Sequence, residues 1–314
     1  MLLVSILLLI LSCIFLVLSG IGLVKSLTKI SYFLRISEYI IAFVLMAAAT
    51  SLPELLVGIT SAMNKVSSLS LGNVIGSNIA DIALVGSIAI LVARGIKVKS
   101  KKIKKDVLLL IPLSILPIIL FFIGNVLSRT DGVILIIAAA IYFRYVIQRR
   151  KGFKKKIKEK VTKLEAVFYS MSFLVFLFLL FFSAHFVVKY AVEIARSMNV
   201  SYLLIGLFMV ALGTSLPELT FETIAVRKHP EMALGDLIGS IAINCTVVLG
   251  ITALICPITS SLFGMLITSA FMFIFIFLFA TFVHSGSKLY VMEGIALLLL
   301  YLFFIFIEFY FKLV

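Results

Sequence analysis

The pentapeptide Thr-Ser-Leu-Pro-Glu occurs twice in this chain, at 50–54 and at 214–218, each time inside a long apolar stretch. A proline in a helix interior removes one backbone hydrogen bond and leaves the carbonyl four residues earlier without its donor. For Pro53 that carbonyl belongs to Ala49, and for Pro217 to Gly213. Two hydroxyls and a carboxylate therefore lie within about one turn of each predicted break. Hard cations bind oxygen-rich clusters of this kind.

The surroundings of the motif identify the solvent. Of the 314 residues, 63% are hydrophobic and only 13% are charged, and the mean hydropathy is +1.25. A soluble domain carries roughly 25% charged residues. The composition excludes a soluble globule, and no long polar stretch marks a separate soluble domain. Apolar segments long enough to cross a bilayer are expected at 2–24, 36–63, 69–93, 106–125, 131–148, 164–195, 201–226, 231–256, 260–283 and 288–311. Ten spans put both termini on one side. The net charge of +14 comes from loops: of the 28 Lys and Arg, all but Lys65, Arg129, Lys189, Arg196 and Lys312 fall after the odd-numbered spans. That side is read as cytoplasmic and the termini as outside, in a multi-pass protein of the cell membrane. The same distribution accounts for the positive charge without nucleic acid. The apolar start has no basic n-region and reads as a first span, not a cleaved signal. Cys13, Cys245 and Cys256 sit in apolar runs without metal or disulfide spacing.

The longest polar connection, 149–163, divides the chain into halves 1–148 and 164–314. It reads as a linker and topology anchor, and its density of Lys and Arg also suits anionic lipid headgroups. Residues 47–81 and 211–244 repeat one another. They share TSLPEL at an offset of 164 and a following Leu-Gly-(Asn/Asp)-x-Ile-Gly-Ser at an offset of 163. With an odd number of spans per half, the two copies cross the membrane in opposite senses. The fold class is thus all-α integral membrane, with ten transmembrane helices as two inverted-topology five-helix repeats. Repeats of this kind recur in secondary transporters, with the substrate site near the midplane.

Each copy presents oxygen on one helical face. Thr50 and Glu54 are four apart, beside Ser51 and the small Ala47; Thr214, Glu218, Ser215 and Ala211 match them. Ser77 with Asp81, and Ser240 with Asn244, are also four apart and share a face. Gly72 with Gly76, and Gly235 with Gly239, have the spacing that lets membrane helices approach closely. A single Ser or Thr in such a helix commonly just bonds back to its own backbone. Carboxylates at this depth need pairing, protonation or a cation, and no Lys or Arg lies nearby in these spans. An all-oxygen set suits Ca2+ and Na+ and does not suit Zn2+ or Cu+. Glu38, Glu165, Glu293 and Glu308, near span ends, read as interfacial acids; His185, His229 and His284 are scattered. Asp236, the mate of Asn73, reads as a helix-start residue. Glu222, the mate of Gly58, reads either as a solvated acid in a cytoplasmic cavity or as a cation or proton carrier.

The two TSLPE motifs, each followed by a span containing Gly-Ser, resemble the alpha repeats of the calcium/cation antiporter superfamily. The branch they look most like is the sodium/calcium exchangers of prokaryotes. The resemblance covers nearly the whole chain. It implies electrogenic exchange of Na+ for Ca2+ by alternating access, with the ions as substrates and no cofactor. It implies Glu54 and Glu218 as the principal Ca2+ ligands. Thr50, Ser51, Thr214 and Ser215, with the carbonyls of Ala47 and Ala211, would flank them as Na+ sites; Ser77, Asp81, Ser240 and Asn244 would supply the rest. The first and sixth spans would slide as a gating pair against the other eight. The chain departs from the family pattern at Ala49, where glycine is usual, and at Glu222. An alternative is a related antiporter coupled to H+ or K+, or moving another divalent ion. A channel gives no reason for an inverted repeat with paired acids. An intramembrane aspartyl protease built on Asp81 and Asp236 leaves both TSLPE copies unexplained, so an enzyme is not expected. No obligate protein partner is evident, and the bilayer is the expected surrounding.

Overall fold

The computed structural model describes residues 2–34, 41–98, 100–150, 161–228, 230–286 and 288–313. Among these, eight unbroken helices are long and apolar enough to span a membrane: Leu2–Phe33, Ser67–Val92, Lys101–Gly124, Arg129–Gln148, Lys163–Met198, Pro230–Ile255, Leu262–Ser285 and Val291–Tyr310. Two further spans are bent pairs: Val44–Thr50 with Leu52–Met63, at 46°, and Tyr202–Thr214 with Leu216–Arg227, at 41°. Numbered in chain order, these are spans 1 to 10, and the bent ones are spans 2 and 7. The expected all-α fold of ten spans in two five-helix repeats is the one observed.

Spans 3 and 8 form the centre. Their apolar windows are 83% and 78% buried, against 28% for spans 1, 4, 5, 6 and 10. Small residues explain why. A methyl group on Gly72 would collide with the Leu203 carbonyl, one on Gly76 with that of Leu207, and one on Gly206 with that of Leu69. Span 3 and the first part of span 7 therefore meet backbone to backbone, as small residues allow in lipid. Spans 1 and 6 pack along each other through Leu9, Leu16 and Leu23 on one side and Leu180, Val187, Ala191 and Ile194 on the other. Their outer faces, among them Leu7, Ile14, Phe168 and Phe178, are exposed, as lipid-facing residues must be.

Loop contacts fix which ends lie together. A two-stranded antiparallel piece pairs β1 (Ile96–Lys97) with β2 (Lys288–Leu289), and the Lys104 ammonium donates to the carbonyls of His284 and Gly286. These join the connections after spans 3 and 9. At the other end Leu127 bridges Ile258, and the Ser67 hydroxyl donates to the Pro257 carbonyl at 2.9 Å, joining the ends of spans 2, 4 and 8. Odd-numbered connections thus meet odd and even meet even, as ten crossings require.

Several expectations change. Span 1 runs to Phe33, well past 24. In its extension the Ser26 and Ser31 hydroxyls are satisfied by the carbonyls of Gly22 and Leu27, and the long stems of Lys25 and Lys29 can carry their charges outward along it. Glu308 is fully buried, not interfacial, since span 10 packs it inward beside Phe304. The β1–β2 pair had no sequence signal, two residues being too short for a period. Most of the basic connection 149–163, together with Glu38 and His229, lies outside the described residues.

The close helix contact makes a stability prediction. Gly76→Ala should lower stability by about 1–3 kcal/mol through overpacking against backbone. Gly124→Ala, whose added carbon would find only Val126 at 3.8 Å, should be near neutral. Thermal midpoints of the detergent-purified proteins test the pair.

Candidate functional site

Both bends fall at the serine of the motif, two residues before the proline. Ser51 has φ −80° and ψ 2°, and Ser215 has φ −82° and ψ 1°. Proline has no amide proton to continue the ladder of the preceding helix, whereas it fits the first turn of a new one. Pro53 accordingly stands at the start of Leu52–Met63. The carbonyl of Ala47 accepts from the Ser51 amide at 3.1 Å and that of Ala211 from the Ser215 amide at 3.0 Å. Each also lies within reach of a threonine hydroxyl, at 3.4 Å for Thr50 and 3.2 Å for Thr214.

All twelve candidate residues are buried, none more than 4% exposed. The two halves interlock through hydroxyls. Thr50 Oγ1 meets Ser240 Oγ at 3.1 Å, and the repeat-related Thr214 Oγ1 meets Ser77 Oγ at the same distance. Ser77 also donates to Glu54 Oε1 at 3.2 Å, and Thr214 to Asn73 Oδ1 at 3.1 Å. Asn244 donates to Asn78 Oδ1 at 3.2 Å, and Asn78 to the Cys245 sulfur at 3.0 Å. Thr50 with Ser240, Glu54 with Ser77 and Thr214, and Asn244 with Asn78 thus form three separate polar contacts that cross between the halves. Ala47 and Ala211 sit beside them through their carbonyls.

The remaining candidates contribute oxygens that no protein group satisfies. Ser51 Oγ, Ser215 Oγ, Glu54 Oε2, Asn244 Oδ1 and both carboxylate oxygens of Asp81 and Glu218 are buried without a hydrogen bond. Glu54, Asp81, Glu218 and Asp236 are all buried, and like charges in a low-dielectric interior repel strongly. A buried, unpaired ion costs several kcal/mol. Among the described residues no three acidic, histidine or cysteine side chains converge closely enough to hold a metal by themselves. A cation here would be held by carboxylates together with hydroxyl and carbonyl oxygens, a set that fits hard ions.

Two acids differ from their sequence reading, and two amides entered it only in passing. Asp236 is fully buried inside the helix Pro230–Ile243, beside Thr50, and is no helix-start residue. Pro230 and Glu231 were the available signal, since they place the helix start well upstream of it. Glu222 is 1% exposed and is not a solvated acid. Asn73 and Asn78 entered only as parts of the repeat. Each site-bearing span also carries a π-helical stretch beside the motif: Ile41–Met46, Asp81–Gly86, Gly206–Val210 and Asn244–Val248. Such stretches widen the helix and cluster at functional sites.

Comparison with known proteins agrees with this geometry. The family model described as sodium/calcium exchanger protein matches residues 4–148 and 168–310. The inner membrane protein YrbG of Escherichia coli is 31% identical over 71% of this chain and 71% of its own length. The sodium/calcium exchanger MaX1 of Methanosarcina acetivorans is 26% identical over 99% of this chain and 100% of its own. A solved structure of the sodium-calcium exchanger NCX_Mj superposes with a TM-score of 0.68 at 29% identity, covering 97% of this chain and 99% of that one.

The Thr214 network can be tested by stability. Thr214→Val should cost about 1–3 kcal/mol, because it strands the buried Asn73 oxygen, while Thr214→Ser should keep most of it. Thermal melts of both variants in one detergent give the answer.

Proposed function

The chain belongs to the sodium/calcium exchanger protein family, and on that premise we propose that it exchanges Na+ for Ca2+ by alternating access at the site between spans 2, 3, 7 and 8. It is a multi-pass membrane antiporter of cations and not an enzyme. The observation that carries the finer reading is the matched pair Glu54 and Glu218. Both are fully buried, each retains oxygens without a protein partner, and each sits one residue past the proline of a helix break. Buried acids without a cationic neighbour are tolerated when a cation from solution takes that role.

In this reading Glu54 and Glu218 hold Ca2+. Thr50, Ser51, Thr214 and Ser215, with the carbonyls of Ala47 and Ala211, hold Na+; Ser77, Asp81, Ser240 and Asn244 complete the shells. Both ions compete for the same negative charge, so one leaves as the other enters. Access alternates when spans 1 and 6 slide together over the bends. The packing supports this: a methyl on Gly20 of span 1 would lie 3.0 Å from the Pro217 ring and 3.6 Å from that of Pro53. Span 1 therefore passes over both breaks at once. The basic ends face the cytoplasm and both termini face out, by the distribution of Lys and Arg.

Proteoliposomes loaded with Na+ and diluted into Na+-free medium should take up radiolabelled Ca2+. K+-loaded vesicles should not. Glu54→Gln and Glu218→Gln should each reduce uptake at least about tenfold, a loss of about 1.4 kcal/mol or more. Uptake driven by an imposed pH gradient and indifferent to Na+ would replace sodium by the proton as the coupling ion.

Orientation has its own test. In a background carrying Cys256→Ser, a membrane-impermeant maleimide added to whole cells should label Arg129→Cys and leave Lys101→Cys unlabelled. The reverse pattern would invert the assignment.

A further inference from the structure

The end of the molecule where spans 2, 4, 6 and 8 finish is poor in positive charge. Of the 28 Lys and Arg, the sequence places only Lys65, Arg129, Lys189, Arg196 and Lys312 there. Three of these gather at one corner. Lys189 and Arg196, both exposed on span 6, line a cavity of about 440 Å3 together with His185 and Glu193. Its facing wall is Asn64 and Val66, in the turn after span 2. Lys65 stands between those two, with φ 59°. Cations are thus collected on the side where the usual distribution across a membrane keeps them few.

The cavity is built for an anion. Lys189 and Arg196 are seven residues apart, about 10 Å along one face of the helix, a gap that two long side chains can close on a group between them. Arg196 Nε donates to the Tyr202 hydroxyl at 3.3 Å, which orients the guanidinium and uses one of its five N–H donors. Such a fork suits phosphate oxygens. One acid, Glu193, lines the cavity, and its Oε2 already accepts from the Ser5 hydroxyl of span 1 at 3.0 Å.

The adjoining surface is apolar. The Lys189 ammonium lies 5.5 Å from the centre of the Tyr190 ring, and Tyr190 lines a second groove, of about 400 Å3, between spans 1 and 6. Leu11 and Phe15 wall it on one side, Phe182 and Phe186 on the other. Phe15 and Phe182 are each 54% exposed. The rings of Phe178, Phe182, Phe186 and Tyr190 touch in succession along span 6, leading from the cation toward the middle of the membrane. A basic cavity and an apolar groove therefore meet at Lys189 and Tyr190. A soluble anion has use for the first alone, a phospholipid for both.

We infer that this corner binds an anionic phospholipid, with its phosphodiester between Lys189 and Arg196 and an acyl chain in the groove between spans 1 and 6. Asn64 and Glu193 face the polar remainder of the headgroup. The site shares no residue with the oxygens buried between spans 2, 3, 7 and 8 and does not depend on which ions are exchanged. Its walls belong to span 6 and to the turn joining spans 2 and 3, so an occupant touches both the outer pair and the inner four.

A ligand that binds only the folded protein raises its melting temperature. The full-length protein, stripped of lipid in detergent, would be melted with dioleoylphosphatidylglycerol, dioleoylphosphatidylcholine, glycerophosphoglycerol or inorganic phosphate at matched ionic strength. Phosphatidylglycerol should raise the midpoint by several degrees and the other three much less. Lys189→Gln/Arg196→Gln should need at least about tenfold more of it for the same rise. The charge-keeping Lys189→Arg/Arg196→Lys should respond as wild type does, and so should Arg129→Gln, on the same side but outside the cavity. Midpoints without lipid establish which variants fold; if the double glutamine variant does not, the single variants Lys189→Gln and Arg196→Gln carry the comparison. No rise with phosphatidylglycerol, or an equal rise with phosphatidylcholine, overturns the site. So does an equal loss in Arg129→Gln, which makes the effect one of overall charge. An equal rise with glycerophosphoglycerol or inorganic phosphate gives the cavity to a soluble anion and overturns the lipid.

Discussion

A cluster of buried carboxyl groups without protein partners, in a low-dielectric interior, is the constraint on which the rest of this molecule depends. Glu54, Asp81, Glu218, Glu222 and Asp236 are all buried, and most of their oxygens have no protein donor. Replacing a cationic partner by solvent is not available at that depth, and several kcal/mol per group is at stake. A protein that merely needed to be stable would fill these positions with leucine. The breaks at Ser51 and Ser215, the adjoining π stretches and the inward hydroxyls are the means of surrounding such a centre with oxygen while the rest of each span stays apolar.

The same constraint explains how the helices are held. The inner spans 2, 3, 7 and 8 are tied to one another by specific polar contacts that cross between the halves, Thr50 to Ser240 and Thr214 to Ser77, and by glycine contacts that leave no slack. Spans 1 and 6 are joined to each other by aliphatic side chains, and the Ser5 hydroxyl donates to Glu193 at 3.0 Å between them. Apolar packing has little directionality in lipid, where tails are as apolar as leucine. The two outer spans are thus held mainly by nondirectional apolar packing, whereas the inner four cannot move apart without breaking buried hydrogen bonds.

The spans and the centre of the site were legible because both depend on residue type. Hydropathy marks a span whatever its neighbours, and an exact repeat of TSLPE marks the breaks. What was not legible depends on helix phase and depth. The π stretches leave no mark in hydropathy, since they change a backbone step and not a composition. Asp236 was misjudged because an aspartate after Leu-Gly suits a helix start, while Pro230 had already begun that helix. Glu308 near a span end gave no sign that span 10 turns it inward. The β1–β2 pair joins segments from opposite ends of the chain, and no local pattern reports such a contact. The ligand roles assigned to individual side chains rest on resemblance and burial, and the ions themselves must decide them.

An inverted repeat carries a further consequence. If the two halves were identical, interchanging their conformations would turn one access state into the other, and the two states would be equal in free energy. Each residue that differs between halves breaks that equality. Among the buried differences, Glu222 for Gly58, Asp236 for Asn73 and Asp81 for Asn244 exchange an acid for a neutral residue near the site. A difference of only about 1.4 kcal/mol shifts a two-state ratio tenfold, and these acids carry several times that in desolvation and mutual repulsion. A bound ion can alter such a balance only by its differential affinity for the two states; the buried acid-for-neutral exchanges are thus where the two halves, alike in sequence at the breaks, are least equal in free energy.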